Sequence, residues 1–290
     1  MATASSLYQI SDTARWAAVF RARESQRPDA LFLDRYASIL AGRRGMELAE
    51  TLSEEKHNAS WVVRTYLFDH MIAREIQDGV DLVVNLGAGL DVRPYRMSLP
   101  HSLRWIEVDL PEMLIYKEKA LVNEKPCCDL ERIGVDLQDR GRRSEFFSEI
   151  NRCGKKILIV SEGLLIYLSP EEVASLASEL ASKGNFRRWI LELASPTVLD
   201  SMTRTVGCHL DKAGISLQFG PAEGPAFFAQ YGWDLVAAQS VLKTAIRLDR
   251  TPIDPQMHFL LPDVPPSGQN VLPWVGVCLF NSHAPTPLAT

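Results

Sequence analysis

The sequence predicts an α/β fold: a doubly wound sheet of seven mostly parallel strands, preceded by an N-terminal helical cap. Three observations predict it. From residue 80 onward, short apolar runs alternate with helical stretches. The first run, Leu82–Leu86, stops at Gly87-Ala88-Gly89, with Asp91 and Arg93 directly after it. Residues 1–78, by contrast, read mostly as helix.

Taken in order, a first helix is expected over Thr13–Gln26, capped by Asp12 or Thr13 and ending before Pro28. A second is expected from about Asp29 to Ala41, closed by Gly42. A third spans Asn58–Gln77, with Trp61, Thr65, Phe68 and Ile72 at helical spacing, and stops at Gly79. The strand candidates are Leu82–Leu86, Leu103–Val108, Arg132–Val135, Lys156–Val160, Trp189–Leu193, Leu235–Val241 and Val275–Phe280. Helices are expected between them at Pro111–Asn123, Gly141–Asn151, Pro170–Lys183 and Ala226–Tyr231. The proline-rich stretch Thr251–Pro273 reads as a surface excursion before the last strand. Residues 1–78 then form a cap belonging to the same domain as the core at 79–290.

Bulk properties narrow the class. A net charge of −5 leaves no basic footprint for nucleic acid. No segment is long and apolar enough to span a bilayer, and residues 1–9 lack the basic head and apolar run of a signal peptide. The five cysteines are odd in number and form no CxxC, which argues for reduced thiols in a cytoplasmic protein and against a zinc site.

The glycine turn is the first functional signal. A buried strand running into glycine brings bare backbone close to a ligand, because no Cβ blocks the approach. In open α/β sheets, ligands gather at such carboxyl ends. A pyrophosphate fingerprint needs a third glycine, and Val92 occupies that position. The turn therefore suits a smaller adenosine cofactor without phosphate. About twenty residues beyond Gly87, where a ribose-binding acid belongs, the second strand ends in Glu107-Val108-Asp109. Asp136-Leu137 ends the third strand and Ser161-Glu162-Gly163 the fourth. The first four strands thus all close in glycine or acid, and in this architecture those ends meet in one crevice.

Asn85-Leu-Gly-Ala-Gly-Leu-Asp-Val-Arg-Pro-Tyr-Arg96, then Glu107-Val-Asp-Leu-Pro111, Val135-Asp-Leu137 and Ser161-Glu-Gly-Leu-Leu-Ile-Tyr-Leu168 resemble the leucine carboxyl methyltransferase family. The likeness is greatest to its bacterial branch, which includes polyketide O-methyltransferases of the tetracenomycin P type. It spans roughly residues 12–190, with weaker echoes in Gly232-Trp233 and the last strand. The resemblance implies a Rossmann-like class I methyltransferase that uses S-adenosylmethionine on a small-molecule carboxylate or hydroxyl. Carried over by position, Arg64 holds the methionine carboxylate and Gly87 contacts the cofactor through its backbone. Asp109 binds the ribose, Asp136 and Leu137 flank the adenine, and Glu162 lies near the methionine amino group. A further basic contact falls on Arg21 or Arg23. Two departures stand out: Asp34-Arg-Tyr-Ala37 replaces the family's Asp-Pro-x-Ala, and Val92 stands where threonine is common.

Methyl transfer from a sulfonium is an in-line displacement that asks mainly for orientation and exclusion of water. A carboxylate acceptor needs no base; a phenol or alcohol benefits from one. None of the six histidines sits in a motif. Tyr167 is a candidate for the acceptor pocket or for the core. Trp16, Trp61, Tyr66 and Phe68 are read as packing of the cap rather than a substrate lid, and Glu171-Glu172 as helix-start acids. The alternatives are a methyltransferase acting on a protein C-terminal carboxylate, a non-catalytic S-adenosylmethionine-binding protein and a nicotinamide oxidoreductase.

Overall fold

The computed structural model describes residues 4–51, 55–211, 216–251, 256, 259, 261–265, 267–268 and 272–283. Its sheet has seven strands: β1 (Leu82–Leu86), β2 (Arg104–Asp109), β3 (Asp129–Gly134), β4 (Ile157–Ser161), β5 (Phe186–Ala194), β6 (Trp233–Ser240) and β7 (Val275–Ser282). They lie in the order β3-β2-β1-β4-β5-β7-β6. Six run in one direction, and β7 runs antiparallel between β5 and β6. The order reverses between β1 and β4, which makes their carboxyl ends the topological switch point.

Each buried strand sends alternate side chains to opposite faces, following the two-residue period of a pleat. Leu82, Val84, Leu86, Ile157, Ile159, Trp189 and Leu191 belong to one core. Its helices are α6 (Arg140–Ile150), through Phe146 and Phe147, and α7 (Pro170–Ala181), through Leu176 and Leu180. Val83, Trp105, Leu158, Val160 and Ile190 belong to the other, beside Val63, Leu67 and Ile72 of α3 (Glu55–Gln77) and Ala245 of α9 (Val241–Arg247). Continuous apolar strands such as Ile157–Ser161 follow from cover on both faces. A third core joins α1 (Ala4–Ser25) to α2 (Ala37–Thr51) through Trp16, Phe20, Tyr36 and Leu40, and reaches Leu90, Val92 and Tyr95 after β1. Of the segment expected to be cap, α1 and α2 therefore share a core above the switch point, whereas α3 is a layer helix of the sheet.

Several boundaries differ from expectation. Asp29–Tyr36 is not helical. Asp34 accepts the Tyr36 amide at 3.1 Å, and α2 starts only at Ala37. Gly42 breaks it as a glycine should (φ 59°, ψ −177°), yet a second helical piece runs on to Thr51. The sixth strand ends at Ser240, whose hydroxyl caps α9 by accepting from the Lys243 amide at 3.3 Å. The third strand begins at Asp129 rather than Arg132, because pairing with β2 carries a polar sequence into the sheet. An additional helix, α8 (Pro196–Asp211), follows β5 where the sequence predicts no element. The remaining helices are α4 (Arg93–Arg96) and α5 (Pro111–Ala120), and Gly224–Tyr231 is 3₁₀ rather than α. In α7, Ser169 and Glu172 form a reciprocal capping box, which accounts for the acids at that helix start. No helix among the described residues is long and apolar enough to cross a membrane.

Candidate functional site

One cavity of about 1000 Å³ opens at the switch point. It is lined by all six residues singled out from the sequence: Arg64, Gly87, Asp109, Asp136, Leu137 and Glu162. Its position follows from the sheet. The ends of β3, β2, β1 and β4 stand side by side in that order and contribute Asp136, Asp109, Gly87 and Glu162 respectively.

At the end of β1, Gly87 adopts φ 66° and Gly89 φ 47°, both in the left-handed region that favours glycine. A Cβ on Gly87 would lie 3.1 Å from Leu164 Cδ1, so the turn needs glycine for space as well. The next strand braces the turn. The Ala88 amide donates to the Val108 carbonyl at 3.0 Å, and the Gly89 amide to Asp109 Oδ2 at 2.6 Å. The other Asp109 oxygen accepts from the Leu110 amide at 2.7 Å. Burial pushes this carboxyl above its ordinary pKa, against the pull of the two amides. Each oxygen retains a lone pair, so the group can still accept hydroxyls from a ribose.

Glu107, the partner acid of that strand end, has a different place. It is wholly buried, with Lys117 Nζ and Arg132 Nε each 2.8 Å away. It serves a buried ion cluster, and the cavity does not include it. Ser161 is also committed, accepting from Trp189 Nε1 at 3.0 Å.

The far end of the row is a chain of charges. Arg64, on α3, places Nε 3.0 Å from Glu162 and Nη1 2.8 Å from Glu192 of β5, with its guanidinium 4.5 Å from the centre of the Trp61 ring. The other Glu162 oxygen meets Arg93 at 2.8 Å. Arg93 is almost fully buried and also holds Asp69 (2.6 Å) and Asp91 (2.8 Å); Arg96 shares Asp69 at 2.6 Å. These pairs set the protonation states. Burial opposes the charge on Glu162, but Arg93 and Arg64 more than offset it and hold the carboxyl below its ordinary range. Asp91 is lowered likewise, with Arg93 its strongest counter-charge against burial. Glu192 goes the other way: burial raises it, and Arg64 recovers only part of the difference.

At the opposite end, Asp136 and Leu137 border the cavity beyond β3, where Asp136 also accepts the Gln138 amide at 2.9 Å. From the cap, α1 lends Thr13, Ala14, Ala17 and Arg21 to the lining. Arg21 bonds Asp34 at 2.8 Å and the Leu90 carbonyl at 2.7 Å, while Arg23 is exposed and outside the lining. Of the two arginines considered, Arg21 is the one at the cavity. Tyr167 lines it too, with a hydroxyl bonded to Thr13 and a pKa raised by burial. Trp16, Phe20 and Trp61 pack together in the cap, with Trp61 also bordering the cavity. Phe68 is buried against the sheet and Tyr66 lies against His70. His70, His101 and His283 are all absent from the lining. His258 and the side chains of His57 and His209 lie outside the described residues.

The residues fit an adenosine carrying an amino-acid tail. Carboxylates stand where hydroxyls and an ammonium would lie, and a guanidinium with donors to spare stands beside them. A pyrophosphate fits poorly. Val92 fills the position of the third glycine, is fully buried in the cap core, and precedes a helix of only four residues. Sequence reasoning missed Glu192, Asp69 and Arg96. Glu192 alone had an available signal, as the single acid in the otherwise apolar run from Trp189 to Ala194, two residues beyond Ile190.

A family model described as leucine carboxyl methyltransferase matches residues 14–181. A protein of Streptomyces coelicolor, by name an S-adenosyl-L-methionine-dependent methyltransferase, is 34% identical over 238 residues, covering 77% of this chain and 82% of its own. One of Frankia alni with the same designation is 32% identical over 233 residues, covering 76% and 81%. Among solved structures, a DUF574 family protein from Streptomyces avermitilis superposes with a TM-score of 0.60 at 13% identity, over 92% of this chain and 96% of that one. A methyltransferase from Thermobifida fusca gives 0.57 at 18% identity, over 86% and 93%. At such identities these two speak for the fold alone.

Proposed function

The chain belongs to the leucine carboxyl methyltransferase family, whose members include S-adenosylmethionine-dependent methyltransferases, and we propose that it transfers the methyl group to an oxygen of a small molecule. One observation carries this reading. The cavity that holds the strand-end row is also lined by Leu193, Val198, Met202 and Phe219, apolar residues that none of the cofactor assignments uses. At about 1000 Å³ it stands at the upper end of the range of roughly 300–1000 Å³ for small-molecule sites, which leaves room for an acceptor beside the cofactor.

When bound, the cofactor supplies an activated methyl on a sulfonium. The protein supplies position. Asp109, fixed by two amides, receives the ribose hydroxyls, and Gly87 lets its backbone approach them. Asp136 and Leu137 border the adenine. Arg64 grips the methionine carboxylate and Glu162 the ammonium. The α1 segment from Thr13 to Arg21 covers the crevice and keeps water out, which strengthens every charge interaction inside. Among the described histidines, His70, His101 and His283 do not line the cavity. The reduced cysteines Cys127, Cys128, Cys153 and Cys278 suit a cytoplasmic setting.

Calorimetry with S-adenosylmethionine, S-adenosylhomocysteine and NAD tests the cofactor. Binding of the first two and not the third is expected; binding of NAD alone would falsify the reading. Labelled methyl donor added to lysate tests the acceptor. Label is expected in the small-molecule fraction, and label confined to a protein C-terminus would make the enzyme a protein carboxyl methyltransferase. A protein that holds the donor and labels neither fraction would be a binding module.

A further inference from the structure

We propose that Glu192 receives the hydroxyl of the methyl acceptor, and that the site takes a phenol or enol on an apolar frame in preference to a carboxylate. The inference rests on the methyltransferase reading above and narrows its acceptor.

Position is the first argument. Asp136, Asp109, Gly87 and Glu162 belong to four adjacent positions in the sheet. Three strand spacings of about 4.8 Å make a row of roughly 14 Å, which suits a nucleoside and its amino-acid tail. β5 is the next strand, and Glu192 projects from the same face as Ile190, toward α3 and Arg64. Past it, the lining passes to Thr197, Val198, Ser201 and Met202 of α8. Glu192 thus stands at the border between the half suited to the cofactor and the half left for the acceptor.

Charge is the second argument. Four arginines line the cavity, and each is already engaged on the cofactor side. Arg21 holds Asp34, Arg96 holds Asp69, Arg93 holds three acids, and Arg64 is divided between Glu162 and Glu192. The described lining residues of α8, together with Gln218 and Phe219, carry no charge. A carboxylate acceptor placed there would meet, among the described lining residues, no cation beyond those four arginines, and would face Glu192. A hydroxyl would instead find an acceptor. Glu162 has two guanidinium partners where Glu192 has one, so Glu192 is the less neutralised acid of the pair. Among the described residues, the charged and titratable groups that face it are Arg64 from α3, Glu162 after β4 and Tyr167.

The chemistry balances. The acceptor O–H bond breaks and its proton passes to a Glu192 oxygen. The freed oxygen pair forms the new O–CH₃ bond as the C–S bond breaks, its electrons staying on sulfur in S-adenosylhomocysteine. Glu192 then returns the proton to solvent. Its raised pKa brings it closer to a phenol than an exposed glutamate would be, which favours proton transfer.

A matched pair of probes tests this. Protein loaded with S-adenosylhomocysteine is titrated with 2-naphthol and with 2-naphthoate, for the wild type and for Glu192→Gln. The wild type is expected to prefer the naphthol at least tenfold. The variant loses most of that preference while its S-adenosylhomocysteine affinity stays within about twofold. With labelled methyl donor, transfer to 2-naphthol falls at acid pH in the wild type and is slowed at every pH in the variant. Tighter binding of the naphthoate, binding of neither probe, or an unchanged preference in the variant overturns the proposal. So does a variant whose only loss is in cofactor affinity, which would make Glu192 a positioning residue for Arg64. A wild type that binds no S-adenosylhomocysteine would instead overturn the cofactor reading beneath it.

Discussion

Replacing Asp109 by asparagine separates two roles that one carboxylate performs. In the structure it accepts the Gly89 amide at 2.6 Å and the Leu110 amide at 2.7 Å, which shapes the glycine turn. Its remaining lone pairs face the cavity and are assigned to the ribose. Asparagine keeps the volume but has one accepting oxygen and loses the charge. Hydrogen bonds to an ionised group contribute about 1.5–3 kcal/mol each. Loss of charge assistance toward two hydroxyls therefore costs about 3 kcal/mol, or roughly a hundredfold in dissociation constant. The amide –NH₂ also turns toward one backbone N–H, and a donor facing a donor costs about 1–3 kcal/mol of stability. Calorimetry with S-adenosylhomocysteine reads the first effect and a urea titration the second. A lower urea midpoint with affinity inside threefold of wild type would refute the ribose assignment and leave Asp109 a loop-shaping group only.

Gly87→Ala forces a left-handed backbone on a residue with a Cβ and presses that Cβ against Leu164; a loss of about 1–2 kcal/mol in urea and weaker S-adenosylhomocysteine binding are expected. Arg93→Met takes from Asp91 its ion-pair partner and leaves Asp69 to Arg96 and Glu162 to Arg64 in a buried site; it is expected to cost about 3–5 kcal/mol, so a urea midpoint equal to wild type would show that these pairs add nothing. The pH dependence has two opposing parts. Asp91 and Glu162 have depressed folded pKa values, so their stabilisation is full above the ordinary carboxylate range and is lost as pH falls through the folded values. Asp109 and Glu192 have raised values and oppose folding near neutrality, an effect relieved as pH falls through them. Urea midpoints taken stepwise from about pH 7 to about pH 3 are expected to fall less steeply in Arg93→Met, which has already lost the first part. Arg21→Ala breaks the bonds to Asp34 and Leu90 and is expected to lower the melting temperature, whereas Arg23→Ala at an exposed position stays within about 0.5 kcal/mol of wild type.

The sheet was legible because its information is local. Leu82–Leu86 and Ile157–Ser161 are apolar at every position or nearly so, and a strand buried on both faces has to be. Elements whose shape is set by neighbours were less legible. Asp129–Gly134 is polar enough to read as loop at its start, and joins the sheet because β2 offers it a complete ladder. The Asp29–Tyr36 segment has helical composition, yet Asp34 is drawn into the pair with Arg21 and its side chain starts α2 three residues later. Val241 resumes apolar sequence after Gln239 and Ser240 at the end of β6, but the Ser240 hydroxyl makes it the first residue of a helix.

The site divides along the same line. Glycine turns and strand-end acids can be read because position along one strand decides what they face: Gly87 and Asp109 needed no knowledge of distant residues. Charge partners cannot be read so. Arg64 meets Glu162 and Glu192 across separations of 98 and 128 residues, and no local pattern announces either contact. Glu107 shows the converse. By strand period it shares a face with Asp109, and the two appear equivalent until Lys117 and Arg132 claim one of them. The strand-end acids also differ in the number of cations already facing them. Glu107 and Glu162 each have two cations within 3.0 Å, whereas Glu192 has one. That imbalance directs attention to β5 for the acceptor, and it becomes visible only when three elements distant in sequence are brought to one place.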